Sequence, residues 1–198
     1  MIINSSIVIF AGSSPCSEAD DIFPYGIKLA NEHDKIVIVD TYGDHLEKCI
    51  ESKPMVLHNN ADELSKSLNI NADSEEAKIN LMKLLYNRGI KLSFITDGRN
   101  PVYASKFDFI YKVENPEVEE RDPTGSGDAF VAGIAYGLEN AVVFEEFLSV
   151  ASALGAANAS RFDTCNTDIT EVNSLRSAVK VIPIGKKMKI IDDSPTID

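Results

Sequence analysis

The sequence predicts an α/β fold: a mostly parallel sheet with helices on both faces, three layers in all. Two observations carry that reading. Short apolar runs alternate along the chain with stretches of helical period. The 198 residues, 44% hydrophobic and 25% charged, have the balance of one globular domain with a substantial core. Neither an internal repeat nor an interdomain linker interrupts the pattern.

The elements follow in order. Ser6 to Ala11 reads as a buried strand ending at Gly12. Glu18 to Glu32 reads as a helix whose start Pro24 leaves unfixed. Lys35 to Val39 is a second buried strand, followed by a short helix from Asp44 to Glu51. Met55 to His58 is a third strand, Asn60 to Leu68 a short helix, and Ser74 to Asn87 a longer one with Leu81, Leu84 and Leu85 on its apolar side. Lys91 to Thr96 is a fourth strand; Val102 to Ser105 and Asp108 to Val113 suggest a hairpin near a sheet edge. Helices follow at Ser126 to Leu138, Phe144 to Ala159 and Ile169 to Val179. Val181 to Ile184 is a last strand, which Pro183 confines to an edge because proline cannot donate to the ladder. The expected organisation is one α/β portion over residues 1–185 and a loose polar tail over 186–198. In such sheets the site lies beyond the carboxyl ends of the strands.

Composition narrows the partners. The formal net charge is -12, and only Lys186-Lys187-Met188-Lys189 is locally basic, which argues against nucleic acid. No apolar stretch approaches membrane-spanning length, and no signal segment is visible before Ile7. Cys16, Cys49 and Cys165 are odd in number and widely spaced, forming neither a disulfide framework nor a zinc pattern; a reducing cytoplasm is the simplest setting. His33 and His45 read as surface residues.

The most informative string is Asp122-Pro123-Thr124-Gly125-Ser126-Gly127-Asp128-Ala129-Phe130. It feeds a helix whose Phe130, Val131, Ile134, Ala135 and Leu138 share one face. A helix start offers unpaired N–H groups and a positive dipole end, a setting that favours an anion. Glycine lets a phosphate approach the backbone, since no Cβ stands in the way. Asp128 then places a carboxylate beside that anion, where it suits a general base acting on an attacking hydroxyl. Taken alone, Gly-x-Gly-Asp before a helix is also an ordinary turn.

The longer string resembles the second signature of the ribokinase-like sugar kinases, also called the phosphofructokinase B family, with Pro123 and Ser126 as departures. The resemblance implies a ribokinase-like fold and ATP-dependent phosphorylation of a sugar or sugar-phosphate hydroxyl. It implies Asp128 as catalytic base and the amides of Gly125, Ser126 and Gly127 as the anion hole. In relatives the first aspartate of the signature helps hold a monovalent cation, which would make Asp122 a site for K+.

Other strings extend the likeness. His58-Asn59-Asn60-Ala61-Asp62-Glu63-Leu64 is similar to a Lys-Pro-Asn-x-x-Glu-Leu motif, with His58 and Asn59 replacing lysine and proline. By that likeness Asn60 and Glu63 lie near Mg2+ and the triphosphate of ATP, Glu63 reaching the metal through water. The same two residues also match a capping box, and the readings can coexist. Gly12-Ser13-Ser14-Pro15 resembles a loop of the hexose-phosphate kinases that borders the sugar, with Ser13 the contact, and Asp40-Thr41-Tyr42-Gly43 resembles an Asp-x-Ser-Gly run. Thr96-Asp97-Gly98 is similar to an element touching nucleotide phosphate and ribose, although Arg99, Asn100 and Pro101 stand where a further glycine is usual. Asn158, on the apolar stripe of its helix, would lie by the adenine or ribose; otherwise it is a surface asparagine near a fraying end.

The resemblance covers the later two-thirds of a usual member. No Gly-Gly pair occurs in the chain, so the family's Gly-Gly-Asn sugar motif and lid strands have no counterpart in it. The reading is therefore a ribokinase-like portion lacking the lid region, carrying the ATP site and base for a hexose-phosphate kinase. A nucleotide-binding fragment without turnover, or a nucleoside kinase, are the alternatives. A bare sheet edge, an apolar patch and a homodimer are expected with it.

Overall fold

The computed structural model describes residues 1–184; the expected tail over 186–198 lies outside the described residues. Seven strands form one sheet in sequence order: β1 (Ile7–Ser13), β2 (Ile36–Tyr42), β3 (Val56–Asn60), β4 (Leu92–Thr96), β5 (Val102–Lys106), β6 (Phe109–Glu114) and β7 (Lys180–Ile184). β1 to β4 are mutually parallel, whereas β5, β6 and β7 each pair antiparallel. The parallel pairs are joined by helices α1 (Ile22–Glu32), α2 (Leu46–Glu51), α3 (Ala61–Leu68) and α4 (Glu75–Asn87). Helices α5 (Ser126–Glu139), α6 (Phe144–Ala159) and α7 (Ile169–Arg176) come between β6 and β7.

Two separate cores confirm the three layers. Side chains alternate across a strand, so neighbouring residues serve opposite faces. Val37, Val39, Leu57 and Ile95 pack on one side with Ile27, Leu46, Leu64 and Leu85. Ile38, Val56 and Phe94 pack on the other with Phe130, Ile134, Phe147 and Leu148. His58 shares the parity of Val56 and therefore faces α5.

α5 and α6 approach closely because glycines line their contact. A Cβ on Gly133 would stand 2.5 Å from the Cα of Ala151, and one on Gly137 would stand 2.2 Å from the Cβ of Phe147.

Three expectations are corrected. β1 is an edge strand and only half-buried, with Ile9 43% exposed. Its apolar run gives it the look of a central strand, but only β2 pairs with it. The β5–β6 hairpin does lie near an edge, with β7 alone outside it, and β7 takes the edge that Pro183 requires. His45 is buried rather than at the surface, its Nε2 2.6 Å from the Thr41 hydroxyl, which in turn donates to the carbonyl of Gly12. The predicted helix from Glu18 also splits into a 3-10 turn over Ser17–Ala19 and α1 proper, leaving Pro24 in the first turn of α1, where its missing N–H costs nothing.

Candidate active site

A cleft of about 840 Å3 opens at the carboxyl ends of the parallel strands and against the start of α5. Its lining gathers most of the residues singled out in the sequence. Gly12 comes from β1, Asn60 and Glu63 from the β3–α3 junction, Thr96 and Gly98 from the end of β4, and Gly125, Ser126, Gly127 and Asp128 from the loop into α5. Ser13, Asp122 and Asn158 do not line it.

The α5 loop owes its shape to its own sequence. Gly125 is the N-cap at φ 78, a left-handed conformation that glycine adopts without penalty. A Cβ there would also meet Thr164 Cγ2 at 2.2 Å. Asp122 Oδ1 accepts the Thr124 N–H at 2.9 Å, and hydrogen bonding from the Thr124 side chain, with this N–H second, holds the Asp122 carboxyl below its usual range. The Ser126 N–H donates to Pro123 O at 3.0 Å. That bond removes one of the three amides expected in the anion hole. The N–H groups of Gly125, Gly127 and Asp128 have no backbone acceptor among the described residues, as a helix start requires. Asp128 is exposed to the cleft in the same first turn as those donors, and no described side chain pairs with it.

Asn158 is neither a surface residue nor an open contact to a nucleotide. It is 1% exposed, and its amide is taken up by protein groups. Nδ2 donates to Thr124 O at 2.8 Å and to Ser126 Oγ at 3.1 Å, while Oδ1 accepts the Cys165 N–H at 2.6 Å. It pins two loops from beneath.

Across the cleft, the capping box is formed in full: Asn60 Oδ1 accepts the Glu63 N–H at 2.8 Å, and Glu63 Oε2 accepts the Asn60 N–H at 3.2 Å. The second Glu63 oxygen makes no protein hydrogen bond among those of the described residues. The turn after β4 is held by Lys78, a buried lysine whose Nζ lies 2.7 Å from Asp97.

The residues at the middle of the cleft fell in strings that sequence reasoning singled out, but it gave them no role. Asp40, Tyr42 and His58 line the cleft there. The position of Asp40 at a strand end was the available signal. Its pairing with His58, 18 residues away, became visible only with the β2–β3 register.

The lining carries the carboxylates Asp40, Glu63, Glu117, Glu120 and Asp128 against one guanidinium, Arg99, which is itself 2.9 Å from Glu120. Among the described residues no three His, Cys, Asp or Glu side chains form a ready metal cage. That donor set fits Mg2+, which keeps several waters and takes one or two carboxylates together with substrate phosphates.

A glycine loop and helix start thus face strand ends across a carboxylate-lined cleft, in an α/β protein whose cleft lies at the carboxyl ends of its parallel strands. The particular family follows from comparison. Residues 2–171 match the pfkB family carbohydrate kinases, and the chain belongs to that family. It is 31% identical over 184 residues to tagatose-6-phosphate kinase of Staphylococcus epidermidis, covering 91% of this chain and 59% of that protein. The chain thus spans less than two-thirds of that relative's length. A putative phosphofructokinase from Staphylococcus aureus superimposes with a TM-score of 0.84 at 24% identity, over 94% of this chain and 61% of that one. Phosphofructokinase-2 from Escherichia coli, solved in complex with potassium, gives 0.80 at 20% identity, over 86% and 56%. These likenesses show the ribokinase-like fold.

Proposed function

We propose that the cleft takes the magnesium complex of ATP and a sugar phosphate, and that the chain carries the phosphoryl-transfer machinery of a hexose-phosphate kinase. One observation carries the reading: Asp128 lies exposed in the first turn of α5, next to unpaired amides, where the loop meets the strand ends.

In this reading Mg–ATP supplies the transferable phosphoryl group and neutralises the carboxylate-rich walls. The N–H groups of Gly125, Gly127 and Asp128 hold its negative charge. Asp128 takes the proton of the substrate hydroxyl as the new O–P bond forms and the bond to ADP breaks. Glu63 and Asn60 hold the hydrated metal side, Thr96 and Gly98 the nucleotide phosphates or ribose, and Gly12 borders the sugar. Asn158 acts by shaping the loop. Asp122 is the candidate for a monovalent cation such as K+. The substrate class rests on similarity to tagatose-6-phosphate kinase. A homodimer is part of the proposal.

The test is phosphate transfer from Mg–ATP to a panel of hexose phosphates, free hexoses and nucleosides. Asp128→Asn keeps the loop and removes the proton acceptor, so kcat should fall by about 100-fold or more while Mg–ADP affinity holds. Turnover equal to the parent's would end the assignment of the base. Mg–ADP binding with no transfer to any acceptor would leave nucleotide binding alone.

A further inference from the structure

At the floor of the cleft His58 joins four elements. Its side chain is 3% exposed. Nδ1 lies 2.9 Å from Asp40 Oδ1 at the end of β2, and Nε2 lies 3.3 Å from Thr96 Oγ1 at the end of β4. The ring stacks on Phe130 of α5, with centroids 5.3 Å apart and planes at 26°. Its Cε1 borders Gly127, where an added Cβ would come to rest 3.5 Å away. Facing a carboxylate, Nδ1 carries a hydrogen in either charge state of the ring, so the imidazole is oriented by Asp40 and its other nitrogen is turned to Thr96. The Asp40 carboxylate makes one described hydrogen bond, to His58.

We propose that His58, held by Asp40, is a positioning residue. It sets the distance between the phosphate loop, Gly125 to Asp128, and the strand end at Thr96. The proposal rests on the phosphoryl-transfer reading for its consequence, though not for its geometry. Glycine loops lack side chains that could fix them from within, so the position of this one depends on what it leans against. This one runs directly into α5, whose Phe130 stacks on the His58 ring, and that ring, which cannot rotate without losing its bond to Asp40, also bounds the space beside Gly127. A misplacement of about 1 Å in a transfer site can cost about 100-fold in rate, so a support of this kind acts on turnover more than on affinity.

The test is a double-mutant cycle of Asp40→Asn and His58→Asn on the full chain, read in two ways. In the free protein, the amide resonances of Gly125 and Gly127 should move in Asp40→Asn, although the structure shows no Asp40 bond to the loop. Adding Asp40→Asn to His58→Asn should move them no further, and Gly89 should stay put throughout. In transfer assays each single variant should lower kcat by about 10-fold to 100-fold with KM for Mg–ATP within about threefold, and the double variant should match His58→Asn. Loop resonances indifferent to Asp40→Asn, or additive losses in kcat, would overturn the proposal. A parent that transfers no phosphate refutes the proposed function, while the resonances still decide whether His58 positions the loop.

Discussion

The two faces of the sheet differ in how closely they are packed, and a pair of glycines makes the difference measurable. Gly133 of α5 and Gly26 of α1 are both helical, and an added Cβ at either would meet another atom at 2.5 Å. At Gly133 that atom is the backbone Cα of Ala151, in a helix anchored by Phe144, Phe147 and Leu148. At Gly26 it is the far end of the Phe10 ring, on the half-buried edge strand β1. The face behind the glycine loop of α5 therefore has no room to yield, whereas the face behind β1 has. Rigidity is concentrated where the candidate chemistry needs a fixed loop.

The largest expected effect follows directly. Gly133→Ala should destabilise by about 3 kcal/mol, the upper end for overpacking, because two helices must separate. Gly26→Ala should cost about 1 kcal/mol, since the Phe10 ring can swing toward solvent. Denaturant midpoints at constant slope would measure both. Equal losses would mean the faces are equally stiff.

Asn158→Ala sharpens the comparison at the loop itself. It strands Thr124 O, Ser126 Oγ and the Cys165 N–H together. Unpaired buried groups cost about 1–3 kcal/mol, partly recovered here because water can reach exposed Thr124 and Cys165. Mg–ADP affinity, measured by calorimetry, should fall along with stability. A stability loss with affinity unchanged would separate the loop's shape from its ligand.

The thiols report the same contrast without altering a residue's packing. Cys49 is buried on the α1–α2 side, and burial pushes its thiol up from 9.0 to about 12. Cys16 and Cys165 are exposed. At pH 8 a thiolate-selective reagent should modify Cys16 and Cys165 and spare Cys49 until the protein unfolds. Because the raised value favours the protonated folded state, its contribution to stability is complete below pH 9 and is lost as pH climbs toward 12. Cys165 Sγ lies 3.7 Å from Gly125 O, so Mg–ADP should slow its modification relative to Cys16.

Much of this molecule was legible in its sequence, and the exceptions share a cause. Element order survived because periodicity is local: the helix read at Phe144 to Ala159 is α6, and Asn60 with Glu63 does form the capping box. What failed depends on sheet position. An apolar run such as Ile7 to Phe10 looks the same at a centre or an edge. His45 looked like a surface residue because its partners, Thr41 and Phe23, meet it only after α2 folds back on β2. At the site, glycines and acids announced the loop and the candidate base. The bonds that hold them, Asn158 to Thr124 and His58 to Asp40, join residues 34 and 18 apart and carry no local pattern.

The smallest expected effect lies at the β1 edge. Ile9 is 43% exposed, while Ile38, its direct partner across the β1–β2 ladder, is fully buried. Ile9→Thr keeps a β-branched side chain, so the strand preference is retained and only exposed apolar area is lost. Stability should change by no more than about 0.5 kcal/mol, the usual range for a surface position. Ile38→Thr, the same exchange one strand inward, buries a hydroxyl in the core shared with Phe94 and Ile134 and should cost several times as much. A large loss at Ile9 would mean that something covers β1 in solution, for a residue open to water has nothing to lose. The open edge of β1 would then be the place to look for the covering contact, since its unpaired N–H and C=O groups are what another strand would bind.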